Sequence, residues 1–204
     1  MGVFEHWPNR ITALRFLGAL GLFAIFASQG DLSVADIARD RTSTQWAFWL
    51  FIATAASDVL DGWLARRGNQ VTAFGRIADP FVDKVMVLGA MVFLSVMPWS
   101  RSWFPAWIVV VILAREFLVT GLRGYVESLG QKFPADWFGK VKMFTQCFAV
   151  GVVVGVHAFP FSGDAYVFWG KVGTVFVYAT LLTSLGSCAS YLVKMRQVLM
   201  ESAR

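Results

Sequence analysis

Four aspartates, Asp58, Asp61, Asp79 and Asp83, fall inside a stretch of chain otherwise apolar enough to cross a membrane. A carboxylate at the bilayer centre costs roughly 2.5–3.5 kcal/mol on insertion scales, so four cost on the order of 10 kcal/mol. Asp58 and Asp61 are one helical turn apart, and Asp79 and Asp83 share a helix face at i,i+4. The segment 66–75 predicts a turn joining two antiparallel helices, which brings all four carboxylates to one end. Left alone they repel one another. Hard divalent ions relieve the repulsion, and an all-oxygen donor set favours Mg2+, Mn2+ or Ca2+ over zinc. A competing reading pairs the aspartates with Arg66, Arg67, Arg76 or Lys84, which accounts for one or two of them more readily than for four. Gly62 and Ala65 lie beside the carboxylates and let a planar or phosphorylated ligand approach the helix, although either alone is ordinary packing.

The elements that position these residues are membrane helices. The chain has 204 residues, 57% of them hydrophobic and 16% aromatic, more apolar surface than a soluble domain of this length needs. Apolar stretches run over 11–28, 45–66, 76–97, 104–125, 141–160 and 166–192, each near the roughly 20 residues that span a bilayer. The expected fold is all-α, a single domain over 1–204 built as a bundle of six transmembrane helices. Residues 1–10 form a short interfacial segment anchored by Phe4 and Trp7, with no cleavable signal pattern. Residues 29–44 read as an external loop, and the loops near 98–103 and 160–165 are short. Pro134 and Asp136 open the fifth helix.

An even number of spans puts both termini on one side. On that side fall 14 of the 18 Lys and Arg residues, and only Arg39, Arg41, Arg101 and Lys171 fall on the other. The positive-inside rule then makes both termini cytoplasmic. A nucleic-acid partner is not expected, because no basic patch sits on a soluble domain. Cys147 and Cys188 fit no zinc or redox spacing and read as apolar packing, and neither His6 nor His157 reads as a ligand. Trp46, Trp49, Trp99, Trp103 and Trp169 near the external ends, and Trp7, Trp63 and Trp137 near the internal ends, read as an aromatic belt. Gly151 and Gly155 form a Gly-x-x-x-Gly pair that permits close helix contact, within one subunit or between two.

The run Asp58-x2-Asp61-Gly62-x2-Ala65-Arg66-x8-Gly75-x3-Asp79-x3-Asp83 resembles the signature of the CDP-alcohol phosphotransferase family at every fixed position. The resemblance covers nearly the whole chain, least firmly the N-terminal segment and residues 29–44. It implies two divalent cations, Mg2+ or Mn2+, that grip the pyrophosphate of a CDP-linked donor, with Asp58, Asp61, Asp79 and Asp83 as ligands. Asp83 is also implied as the base that takes the acceptor's hydroxyl proton. Gly62, Ala65, Arg66, Thr72 and Gly75 are implied to contact the cytidine nucleotide. Pro8-Asn9-Arg10-Ile11-Thr12-Ala13-Leu14-Arg15 resembles the family's opening motif, where Asn9 and Thr12 help seat the donor, CDP-diacylglycerol; both residues read equally well as helix caps. The resemblance further implies a homodimer in a bacterial inner membrane, with its site facing the cytoplasm.

Three more stretches bear on the acceptor. Ala114-Arg115-Glu116 with Arg123, Gly139-Lys140-Val141-Lys142 with Thr145-Gln146, and Asp79-Pro80-x2-Asp83-Lys84 resemble the branch of the family that uses glycerol 3-phosphate. There Arg115, Arg123 and Lys140 are implied to bind the acceptor phosphate, with Lys142 a substitute for Lys140. The planar fork of Arg suits two phosphate oxygens at once. Alternatively, Arg115 pairs with Glu116 or Glu127, or serves as an orientation charge. The rival acceptors are an inositol phosphate, which needs the same pocket, and serine, which brings no phosphate. A divalent-cation transporter is the reading from another class; it predicts midplane polar residues and repeated broken helices, and no repeat is visible.

Overall fold

In a computed structural model of the chain, the backbone is described for residues 7–68, 73–128, 130 and 137–202, and side chains for 9–57, 78–128, 130, 137 and 139–196. Among the described residues there are seven helices and no strand: α1 (Trp7–Ser28), α2 (Val34–Arg39), α3 (Thr42–Gly68), α4 (Ala73–Val96), α5 (Ala106–Ser128), α6 (Trp137–Ala158) and α7 (Gly163–Ser202). The six long helices correspond to the six apolar stretches, and their ends differ where polar residues extend a helix past its apolar run. α1 starts at Trp7, so Pro8 occupies the first turn, where its missing N–H leaves no bond unmade. Asn9 and Thr12 are therefore inside the helix and do not cap it. The segment 66–75 is also more helical than expected, since α3 continues to Gly68 and α4 begins at Ala73. At 40 residues α7 is roughly 60 Å long, more than a bilayer requires. The proposed interfacial segment lies largely outside the described residues, as do Pro134 and Asp136.

The expected loop at 29–44 contains α2. Ser33 and Asp36 form a capping box, with the Ser33 hydroxyl 2.6 Å from Asp36 Oδ2 and the Ser33 N–H donating to the same oxygen at 3.0 Å. The Ser33 hydroxyl and N–H hold the Asp36 carboxyl below its ordinary value. The residues just after α2 tie this end of the bundle together. Gln45 Nε2 donates to Ala158 O at 3.1 Å, and Arg41 donates to Phe159 O, so carbonyls left over at the end of α6 are satisfied from α3 and its approach.

The long helices pack in a closed cycle, α1–α3–α6–α7–α5–α4–α1, with a further α4–α6 contact across it. The core includes Leu22, Phe26, Phe51, Met91, Leu94 and Ile112, all essentially without exposure. Phe23 stacks on Phe93 at 5.5 Å and lies over Gly89, where an added Cβ would stand 2.2 Å from the ring. Gly89→Ala is therefore expected to destabilise the α1–α4 contact by about 1–3 kcal/mol, the usual cost of overpacking. Thermal unfolding in detergent reads this, and adding Phe23→Ala should relieve the clash and make the pair of changes non-additive.

Outside the core many large apolar side chains are exposed, among them Leu14, Trp46, Phe117, Phe144, Phe168 and Leu182. Such a surface is wetted by lipid tails at no cost, whereas water would penalise it. By length and composition α1 (Asn9–Ser28), α6 (Gly139–Ala158) and α7 (Gly163–Arg196) are long and apolar enough to cross a membrane. α4 and α5 fall short because Asp79, Asp83 and Lys84 interrupt one and Arg115, Glu116 and Arg123 the other. The apolar helices suit a membrane protein, and the interrupted ones carry the polar groups of the site.

Two local expectations change. Trp99 is 1% exposed and sits 4.9 Å from the His157 ring, so it belongs to the core and not to an aromatic belt. Trp103 covers Gly170 and Gly173 of α7, while Trp46 and Trp49 do face outward. A Cβ added at Gly155 would stand 3.1 Å from Phe48 and one at Gly151 3.9 Å from Phe51 and Ile52, so this glycine pair is used for α3–α6 packing within the chain. Cys147 and Cys188 form no disulfide with each other and lie half-buried among the helices.

Candidate active site

The odd-even order of the long helices makes α1, α4 and α6 run parallel to one another, so their N-terminal turns gather at one end. There the α1 face made by Asn9, Thr12 and Arg15 is buried, each residue less than 5% exposed. It meets the α4 face that carries two aspartates. Thr12 Oγ1 donates to Asp79 Oδ1 at 2.5 Å, and Arg15 Nη1 pairs with Asp83 Oδ1 at 2.7 Å. The two contacts keep step because i,i+3 on one helix and i,i+4 on the other each advance about one turn. Neither partner is among the cations considered for these aspartates in the sequence. Lys84 turns elsewhere, to Thr120 Oγ1 at 2.7 Å and towards Glu116 Oε2 at 4.0 Å.

A cavity of about 230 Å³ opens beside the aspartates between α4, α5 and α6. Asp79 and Asp83 line one side, Glu116, Lys142 and Gln146 the other, with Lys84 between. The buried Glu116 carboxylate receives Arg115 Nη1 at 2.5 Å and Lys142 Nζ on the same oxygen, Oε1. Arg115 Nη2 in turn donates to Ser187 Oγ of α7 at 2.6 Å. Gln146 Nε2 is buried and has no hydrogen-bond partner among the described residues, leaving a donor at the cavity wall. A buried donor in that state is costly unless a ligand or water takes it.

The candidate residues thus divide. Asp79, Asp83, Asn9 and Thr12 stand together at the α1–α4 contact. Arg115 is buried behind the cavity in the ion pair with Glu116 that the sequence offered as its alternative. Arg123 is half-exposed on the following turns, with Glu127 Oε1 4.0 Å from its Nε, and Lys140 is exposed at the start of α6. Lys142, the substitute for Lys140, is the lysine of that helix that lines the cavity. Asp58, Asp61, Gly62, Ala65 and Arg66 lie on α3 and Gly75 on α4, their side chains outside the described residues, and Thr72 lies outside them altogether.

Arg15, Lys84, Glu116 and Gln146 were not among the candidate site residues. Arg15 belonged to the quoted opening motif and Lys84 to the aspartate motif, so a spacing signal existed. Glu116 and Gln146 stood in the quoted acceptor stretches, but that they face one cavity depends on how α5 and α6 pack.

Among the described residues no three His, Cys, Asp or Glu side chains form a metal-holding group. The residues present nonetheless fit a hard cation. Asp79 and Asp83 are oxygen donors on one helix face at a cavity, and Thr12 and Arg15 each hold one Oδ1 in place, as outer-shell partners of metal ligands do. A larger cavity of about 480 Å³ lies nearer the other end, lined by Phe48, Trp49, Phe148, Gly155 and Trp169 among others, and has no charged lining residue. It offers nothing to a phosphate.

The sequence profile of a family described as CDP-alcohol phosphatidyltransferase matches residues 5–200. The chain is 34% identical over 180 residues to a CDP-diacylglycerol--glycerol-3-phosphate 3-phosphatidyltransferase of Bacillus subtilis, covering 86% of this chain and 90% of that one. It is 34% identical over 181 residues to a probable phosphatidylglycerophosphate synthase of Mycobacterium tuberculosis, covering 87% and 77%. With a CDP-diacylglycerol--glycerol-3-phosphate 3-phosphatidyltransferase of Escherichia coli it shares 33% identity over 154 residues, 74% and 79% of the two chains.

Proposed function

The chain belongs to the CDP-alcohol phosphatidyltransferase family, and from that premise we propose that it transfers the phosphatidyl group of CDP-diacylglycerol to sn-glycerol 3-phosphate. The products are phosphatidylglycerophosphate and CMP. One observation supports a phosphorylated acceptor over serine: the cavity that holds Asp79 and Asp83 also holds Lys84 and Lys142, and the relatives named for glycerol 3-phosphate favour it over an inositol phosphate. An acceptor with a hydroxyl at one end and a phosphate at the other matches that division.

We assign Asp83, which lines the cavity, the role of accepting the proton of the acceptor hydroxyl. As the proton leaves, the acceptor oxygen bonds to the lipid-side phosphorus, the bond to the bridging oxygen breaks, and CMP departs. Thr12 and Arg15 hold the two α4 carboxylates in register through this exchange. Asn9, Gly62, Ala65, Arg66, Thr72 and Gly75 seat the donor. Two divalent cations, Mg2+ or Mn2+, carried by Asp58, Asp61, Asp79 and Asp83, would neutralise charge on the pyrophosphate and the leaving CMP. Lys142 and Lys84 bind the acceptor phosphate, Arg115 supports them from behind, and the exposed Arg123 and Lys140 draw the anion inward over a salt-screened range.

The setting we infer is a bacterial inner membrane crossed six times, with termini and site on the cytoplasmic side. The placement of the Lys and Arg residues supports that orientation. A lipid donor and a water-soluble leaving group suit a site at that boundary. Any homodimer forms through a surface other than the Gly151–Gly155 pair, which α3 already covers.

The deciding experiment gives purified protein CDP-diacylglycerol with glycerol 3-phosphate, an inositol phosphate or serine in turn and measures CMP. Release is expected with glycerol 3-phosphate. Release with serine alone would remove the acceptor and leave the family intact. In the same assay Thr12→Val should lower kcat/KM for the donor about tenfold, since a hydrogen bond to a charged group contributes about 1.5–3 kcal/mol. An unchanged value would show that Asp79 needs no support from α1.

A further inference from the structure

We propose that Glu116 is a positioning residue, a built-in anion that holds the cavity's cations and must yield them before a phosphate binds. The inference rests on reading the cavity as the acceptor-phosphate site. Three cations from three helices, Lys84 of α4, Arg115 of α5 and Lys142 of α6, converge on this one carboxylate. Without it, three like charges in a confined space would splay apart.

The arrangement does more than hold the helices. Glu116 and Lys142 both line the cavity, so an anion entering it contends for the ammonium that Glu116 already occupies. Three positive charges against one negative leave a surplus of two. A phosphate monoester near pH 7 carries a charge of about −1.5 to −2, which matches that surplus. A free inorganic anion must displace Glu116 with no other foothold. A phosphorylated alcohol has one, because its hydroxyl also reaches Asp83. Glu116 thereby lets the pocket favour the acceptor over inorganic phosphate, an anion with the same charged head.

The test is binding of inorganic phosphate to the purified full chain in detergent, by titration calorimetry at fixed ionic strength with EDTA present and no CDP-diacylglycerol. Glu116→Gln is expected to bind phosphate about tenfold more tightly than the unaltered protein. Glu116→Asp, whose shorter carboxylate draws back from Lys142, should bind it about threefold more tightly. Unchanged or weaker binding in either folded variant overturns the proposal. Loss of the folded protein in both also overturns it, because Glu116 would then serve only to hold α4, α5 and α6 together. The measurement needs no turnover. A failed acceptor panel combined with tighter phosphate binding would remove glycerol 3-phosphate as acceptor and leave the role of Glu116 standing.

Discussion

Asp83→Asn is expected to lower CMP release with saturating substrates by about 10³-fold, within the usual range of 10²–10⁴ for loss of a positioned general base. Its affinity for CDP-diacylglycerol should change little. Asn keeps the shape of the side chain and can still accept a hydrogen bond from Arg15, now 2.7 Å from Asp83 Oδ1. What it loses is the negative charge and the capacity to take a proton. The change should therefore fall on kcat, which single-turnover CMP release measures, while donor binding is read separately by equilibrium titration. A wild-type kcat would remove Asp83 from the base role. Loss of donor binding equal to the loss of rate would make it chiefly a donor ligand. Asp83→Ala is a poorer probe, since it removes the carboxylate that the buried Arg15 guanidinium pairs with, and breaking such a pair costs about 3–5 kcal/mol.

The second large effect is expected at Lys142. Lys142→Gln should raise KM for glycerol 3-phosphate about 30-fold and alter kcat by less than about threefold, because it removes one charge-assisted contact worth about 1.5–3 kcal/mol from a pocket shielded from water. An increase in KM at constant kcat marks binding that ground state and transition state share. Arg123→Ala should also raise KM, by only about threefold, since its side chain is 48% exposed and its charge is screened. Its effect should shrink as salt is added, whereas that of Lys142→Gln should persist. A larger effect at Arg123 than at Lys142 would move the phosphate to the outer turns of α5.

Much of the fold was open to view in the residues. Six apolar runs of spanning length gave six long helices, because a buried or lipid-facing backbone must satisfy its own hydrogen bonds and a helix does so locally. The boundaries were less visible. Pro8 and Asn9 looked like a lead-in, yet proline is at home in a first turn, so α1 begins before its apolar run. Ser33 and Asp36 showed the spacing of a capping box and still read as loop, since a helix as short as α2 leaves no periodicity to find. Trp99 looked like a belt residue by its place near a helix end, and only the fold around His157 draws it inside.

The sequence by itself determined the helices, the pairing of each aspartate with its neighbour on a shared face, and the family whose motif those aspartates spell. All of these follow from spacings of a few residues, where helix geometry leaves one outcome. Which charges meet across helices was decided only by tertiary structure. Arg15 found Asp83 at 68 residues' separation, Lys142 found Glu116 at 26 and Arg115 found Ser187 at 72. No local rule sets those distances. They depend on the order in which six helices close their cycle, which turned Lys142 into the cavity, left Lys140 outside it, and put Glu116 among the cavity's cations.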